Sequence, residues 1–118
     1  MSKRYSYVAK VYGASLILIA GQVAFDENGN VVGKGSYSLQ AKQMFMKIET
    51  LLESERTIFK DVIELDIYIL DISYLPKVKE VRGEFMSQEH LPTSTAVQTY
   101  GLISPDFLLG IDIISSTE

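Results

Sequence analysis

Residues 38–70 read SLQAKQMFMKIETLLESERTIFKDVIELDIYIL, and a change of period inside this stretch decides the fold. From Ser38 to Ser54 the apolar side chains fall at Ala41, Met44, Phe45, Ile48, Leu51 and Leu52. That i, i+3, i+4, i+7 spacing is the stripe of a helix lying on another layer. Methionine and phenylalanine on such a stripe are core packing rather than a cofactor pocket. From Val62 to Leu70 the period drops to two, with Ile63, Leu65, Ile67 and Ile69 on one face and Glu64, Asp66 and Tyr68 on the other. This is a strand with one apolar and one polar side.

The flanking segments extend the same alternation of elements. Upstream, Tyr5, Tyr7, Ala9 and Val11 alternate with Arg4, Ser6 and Lys10, predicting a half-buried first strand over residues 4–11. Tyr12-Gly13-Ala14 reads as a turn, and the apolar run inside Ser15 to Ala20 reads as a central strand forming a hairpin with the first. Val23-Ala24-Phe25 leads into Asp26-Glu27-Asn28-Gly29-Asn30, where Asn28-Gly29 signals a protruding turn because both residues tolerate positive φ. Downstream, Ser73 is a candidate cap for a second helix from Tyr74 to Gln88, with Leu75, Val78, Val81 and Phe85 facing inward and Pro76 in its first turn. Thr95 to Tyr100 and Phe107 to Ile114 read as closing strands around a turn at Ser104-Pro105-Asp106. The order is ββαβαββ: an α+β domain with a mixed sheet and both helices on one face. The second face lacks a cover within this chain, and Tyr5, Tyr7, Tyr68 and Tyr100 suit it to a symmetric contact.

Bulk properties bound the function. At 118 residues, 47% hydrophobic and 22% charged, the chain has the composition of one globular domain, residues 1–118. It has no bilayer-length apolar run and no secretory pattern, so a cytoplasmic protein off the membrane is expected. Cysteine is absent, which removes disulfides and thiolate chemistry. A net charge of −4 without a basic run gives no general attraction to nucleic acid. His90 is the single histidine, so a histidine metal site is not expected and a general-base role has no second histidine to work with. Gly33 and Gly35 do not form a phosphate-binding fingerprint, and no cofactor is implied.

Several local features, in order, resemble the RidA (YjgF, endoribonuclease L-PSP) family over nearly the whole chain. They are Tyr5-Ser6, Ala20-Gly21-Gln22, Asp61-Val62 entering a strand that ends at Leu70-Asp71, Phe85, and Leu91-Pro92 ahead of the next strand. The resemblance implies a chorismate-mutase-like fold assembling as a barrel-like homotrimer, with small-molecule clefts between subunits. It implies deamination: hydrolysis of a reactive imine or enamine to a carbonyl product and ammonia. In the family pattern an arginine two residues after the proline grips the substrate carboxylate. Here that position is Ser94. A neutral hydroxyl cannot replace a charged fork, and one such contact is worth about 1.5–3 kcal/mol.

By the same resemblance Asp112 stands for the family's catalytic glutamate, and the Ala96 backbone amide for its main-chain contact to ligand. Lys79 falls where a cleft-facing asparagine is common, and Arg82 sits about a turn further along; either is a candidate substitute cation or a solvated helix face. Tyr5 and Gln22 are candidate cleft residues. Ser94 and Thr95 have no histidine partner and no nucleophile elbow, so covalent catalysis lacks support. Three readings follow: an imine or enamine hydrolase with altered substrate, a non-catalytic trimer binding a small metabolite, and, least favoured by the charge, an endoribonuclease.

Overall fold

The computed structural model describes residues 15–116. The strand expected over residues 4–11, its turn and its hairpin lie outside the described residues.

The elements are β1 (Leu16–Gln22), α1 (Tyr37–Ser54), β2 (Val62–Ile69), α2 (Leu75–Arg82), β3 (Thr93–Gln98) and β4 (Leu109–Ser116). The four strands form one mixed sheet in the order β1-β4-β2-β3. β4 runs antiparallel to both β1 and β2, while β3 lies parallel to β2 after the α2 crossover. The α+β architecture expected from the order of elements is therefore present. No helix among the described residues is long and apolar enough to cross a membrane.

Strand periodicity sorts the two faces of the sheet. Leu65, Ile67, Ile69, Ile111 and Ile113 are buried against α1 and α2 in one core with Ala41, Met44, Phe45, Ile48, Val78 and Val81. The alternate positions, among them Leu18, Glu64, Asp66, Tyr68, Thr95 and Asp112, share the opposite face by register. Leu18 is 71% exposed there. Among the described residues β1 is an edge strand open on this face, whereas its apolar run suggested a strand covered on both sides. The run itself is consistent with either arrangement, because a sheet face awaiting a partner is as apolar as a core.

Helix ends explain the remaining differences. Ser36 caps α1, its hydroxyl accepting from the Leu39 amide at 3.1 Å. Leu51, expected on the apolar stripe, is exposed, so the buried stripe is narrower than the sequence suggested. Ser73 does not cap α2: it lies in a 3₁₀ turn, Ile72–Tyr74, capped by the Asp71 carboxylate. α2 stops at Arg82 instead of reaching Gln88. Gly83 weakens helix continuation there, and the Phe85 and Met86 amides both return to the Arg82 carbonyl. Phe85 still meets the core from beyond the helix, stacked 5.5 Å from Phe45.

Candidate functional site

The chemistry-bearing residues gather on the sheet face opposite the helices. Gly21 adopts φ 66°, a left-handed conformation that side chains disfavour. It lies where the β1–β4 register shifts between Ile19 and Gln22. This irregularity lets the Gly21 amide donate to Asp112 Oδ1 at 2.6 Å. Asp112 is thereby held by backbone, not by a side chain free to swing.

Asp66 on β2 is the direct antiparallel partner of Asp112 on β4, an arrangement that puts Cβ atoms about 4.5–5.5 Å apart. The Asp66 carboxyl is pushed above the usual aspartate value, first by burial and then by the Asp112 charge. Tyr68, two residues along the same strand, is the diagonal neighbour of Asp112 across the strands. Its phenol is pushed up by the Asp112 charge, with burial and Asp66 adding to it. The three groups form one acidic patch beside a fixed backbone donor. Among the described residues no group of three or more potential ligands is placed to hold a metal.

On the far side of Asp66, Thr95 completes a row across the sheet. Among the described residues β3 is an edge strand, and Thr99 donates its amide inward to the Ile69 carbonyl at 2.9 Å. Alternation along the strand then turns the amides of Ser94 and Ala96 to the open edge. The Ala96 side chain packs on the core, which leaves its amide as the group that can meet a ligand. The Ser94 side chain belongs to the helix-facing side by its register with Leu65, so its hydroxyl and the Asp112 carboxylate do not share a face.

Other expected residues are placed elsewhere. Lys79 is half-buried and Arg82 only 3% exposed, both in the helix layer. The burial of Arg82 sets aside the picture of a wholly solvated helix flank. Within one chain the sheet lies between these cations and Asp112, so joining them to this site requires a neighbouring copy. The Gln22 side chain donates to Ala20 O at 3.0 Å and lines a separate groove of about 450 Å³ with Phe25, Met46, Lys47 and Leu51. In that groove Lys47 Nζ donates to Val23 O at 2.9 Å and lies 3.2 Å over the Phe25 ring, tying the loop to α1. Tyr5 lies outside the described residues.

Sequence reasoning missed Asp66 and Tyr68 as members of the site. The only local signal was their position on the polar face of β2, which on its own reads as solvated surface.

Comparison with known proteins agrees with this fold. The family model described as endoribonuclease L-PSP matches residues 1–117. A RutC family protein of Pyrococcus abyssi is 29% identical over 97% of this chain and 87% of its own length. The 3-aminoacrylate deaminase RutC of Acinetobacter baylyi is 29% identical over 89% of this chain and 82% of its own. The crystal structure of RidA from a Psychrobacter species superposes with a TM-score of 0.79 at 24% identity, covering 99% of this chain and 96% of that one. Whole-length family match and shared fold together make this chain a member of the endoribonuclease L-PSP family, the YjgF/RidA proteins.

Proposed function

We propose that the protein is an imine and enamine deaminase whose substrate lacks the carboxylate for which the family arginine is suited. The observation that carries the reading is the Asp112 carboxylate, fixed 2.6 Å from the Gly21 amide beside Asp66. In the reaction, water adds to the carbon of a C=N bond and gives a proton to Asp112. The carbinolamine then collapses: its nitrogen takes the proton back and leaves as ammonia, its hydroxyl proton passes to Asp112 and on to water, and the carbonyl remains. An iminium is cationic, so an acidic patch stabilises it where it would repel a substrate carboxylate. Ser94 supplies no opposing positive charge.

The reading includes assembly. A homotrimer covers the open sheet face and places the β3 edge of one copy near the helix layer of the next. Lys79 and Arg82 of a neighbour are then the candidate cations on that layer. A trimer that only binds a metabolite is the competing reading.

A hydrolysis assay separates them, following ammonia release from in situ imines with and without a carboxylate. The expected result is faster hydrolysis of carboxylate-free imines, with Ser94→Arg, whose long side chain must reach round the β3 edge to meet the site, moving preference toward the carboxylate-bearing ones by about tenfold or more, the worth of one charge-assisted contact. No acceleration of either class at high protein concentration would sink the deaminase reading in favour of the binding one.

A further inference from the structure

We propose that Asp66 is the general acid that protonates the carbon of an enamine substrate, while Asp112 takes the proton of the attacking water. The inference rests on the deaminase reading and narrows it to enamines that must be protonated before they can be hydrolysed.

The two carboxyl groups are directly opposed but unequally supported. Asp112 receives the Gly21 amide at 2.6 Å. Asp66 receives no hydrogen bond among the described residues. Donors favour the charged form of the group they reach, and a neighbouring charge disfavours ionisation of the other. Of the two, Asp66 is therefore the one that takes up a proton first, in line with the upward push on that carboxyl from burial and from Asp112. Among the described residues, the groups facing Asp66 on this side of the sheet are Glu64 and Tyr68 on its own strand and Asp112 on β4. β3 contributes only Thr93, Thr95 and Val97, none of them charged. No cation among them draws the proton away.

Position favours the same division of labour. In the row Asp112, Asp66, Thr95, Asp66 is the carboxyl nearer the β3 edge, where the Ala96 amide is free to meet a ligand. A substrate anchored at that edge presents its double bond to Asp66 first.

The steps balance with water alone. The C=C electron pair of the enamine takes the Asp66 proton, leaving an iminium and the Asp66 carboxylate. Water adds to the iminium carbon, and its released proton goes to Asp112. The nitrogen then takes the proton back from Asp112 and leaves as ammonia, while the carbinolamine hydroxyl gives its proton to the Asp66 carboxylate as the carbonyl forms. The net change is enamine plus water giving carbonyl compound plus ammonia, with both carboxyl groups restored.

Two carboxylate-free probes test the assignment: methyl β-aminocrotonate, a primary enamine, and benzophenone imine, which has no enamine tautomer. Asp66→Asn should lower the ratio of enamine to imine kcat/KM by about 10²-fold, the usual worth of a positioned acid. The enamine reaction of the native protein should show the larger solvent deuterium isotope effect, and Asp66→Glu should restore part of the ratio. Asn relieves the repulsion with Asp112, so the variant should fold; a circular dichroism spectrum and melting curve check it. An unchanged ratio in Asp66→Asn, with imine hydrolysis intact in the native protein, overturns the role of Asp66 and leaves the deaminase reading standing. Hydrolysis of neither probe overturns both.

Discussion

At the scale of residues, the site places two like charges side by side, which is costly unless one is neutral. The Asp66 carboxyl is pushed above its ordinary aspartate value of 3.8 by burial and by Asp112. Between that value and the raised one the folded state binds more protons than the unfolded state, so stability falls as pH rises through the window. Above it the native protein carries the full penalty of the opposed carboxylates; below it the penalty is gone. Asp66→Asn removes the titration, so the variant should melt higher than the native protein at neutral pH. The gap should close as the pH drops into the aspartate range. Melting curves on both proteins across pH 3 to 7 check this, and a gap independent of pH would show that Asp66 is not held protonated by its neighbours.

At the scale of elements, one buried amide does much to position the sheet against the first helix. Gln40 on α1 is fully buried. Its Nε2 donates to Asp106 O at 2.9 Å and to Gly33 O at 3.3 Å, while its Oε1 accepts from the Leu108 amide at 2.9 Å. It thus clamps the β3–β4 loop and the start of β4 to the helix. Gln40→Leu keeps the bulk and strands those backbone groups, so it should cost about 1–3 kcal/mol. Urea unfolding should show a lower midpoint with an unchanged slope; a midpoint shift near zero would mean that water replaces the amide. The sequence displayed α1 and β2 clearly because each rests on its own local period. It did not display the end of α2, because Val78, Val81 and Phe85 keep a helical spacing across Gly83 while the backbone turns. Nor did it reveal Gln40 as core, since its partners lie in loops far along the chain. The site was half legible for the same reason: resemblance pointed to Asp112, but only the β2–β4 register makes Asp66 its neighbour. Lys79 was weighed by resemblance and Arg82 by helical spacing, and neither says which side of a sheet a helix takes.

At the scale of the whole molecule, the open sheet face sets what the protein must do next. Leu16 and Leu18 are 52% and 71% exposed on β1, and Val97 is 47% exposed on β3, all on the side away from the helices. An apolar row on a face that also holds the acidic patch is costly to leave in water, and covering one leucine is worth roughly 1.5–3 kcal/mol. In the proposed trimer the contribution of Leu18 is repeated in each copy. Leu18→Glu should therefore shift the protein toward monomer, because each subunit would bring a carboxylate into an apolar contact. The fold of the single chain should hardly notice, since a substitution at so exposed a position usually changes stability by less than about 0.5 kcal/mol. Sedimentation velocity over a range of concentrations distinguishes the outcomes. A trimeric native protein beside a dissociating, still folded variant places Leu18 in the interface. A monomeric native protein removes the trimer, and with it the route by which Lys79 or Arg82 of another copy reaches Asp112. A variant that stays trimeric at every concentration moves the interface off β1, and the cover for this face must then be sought toward β3.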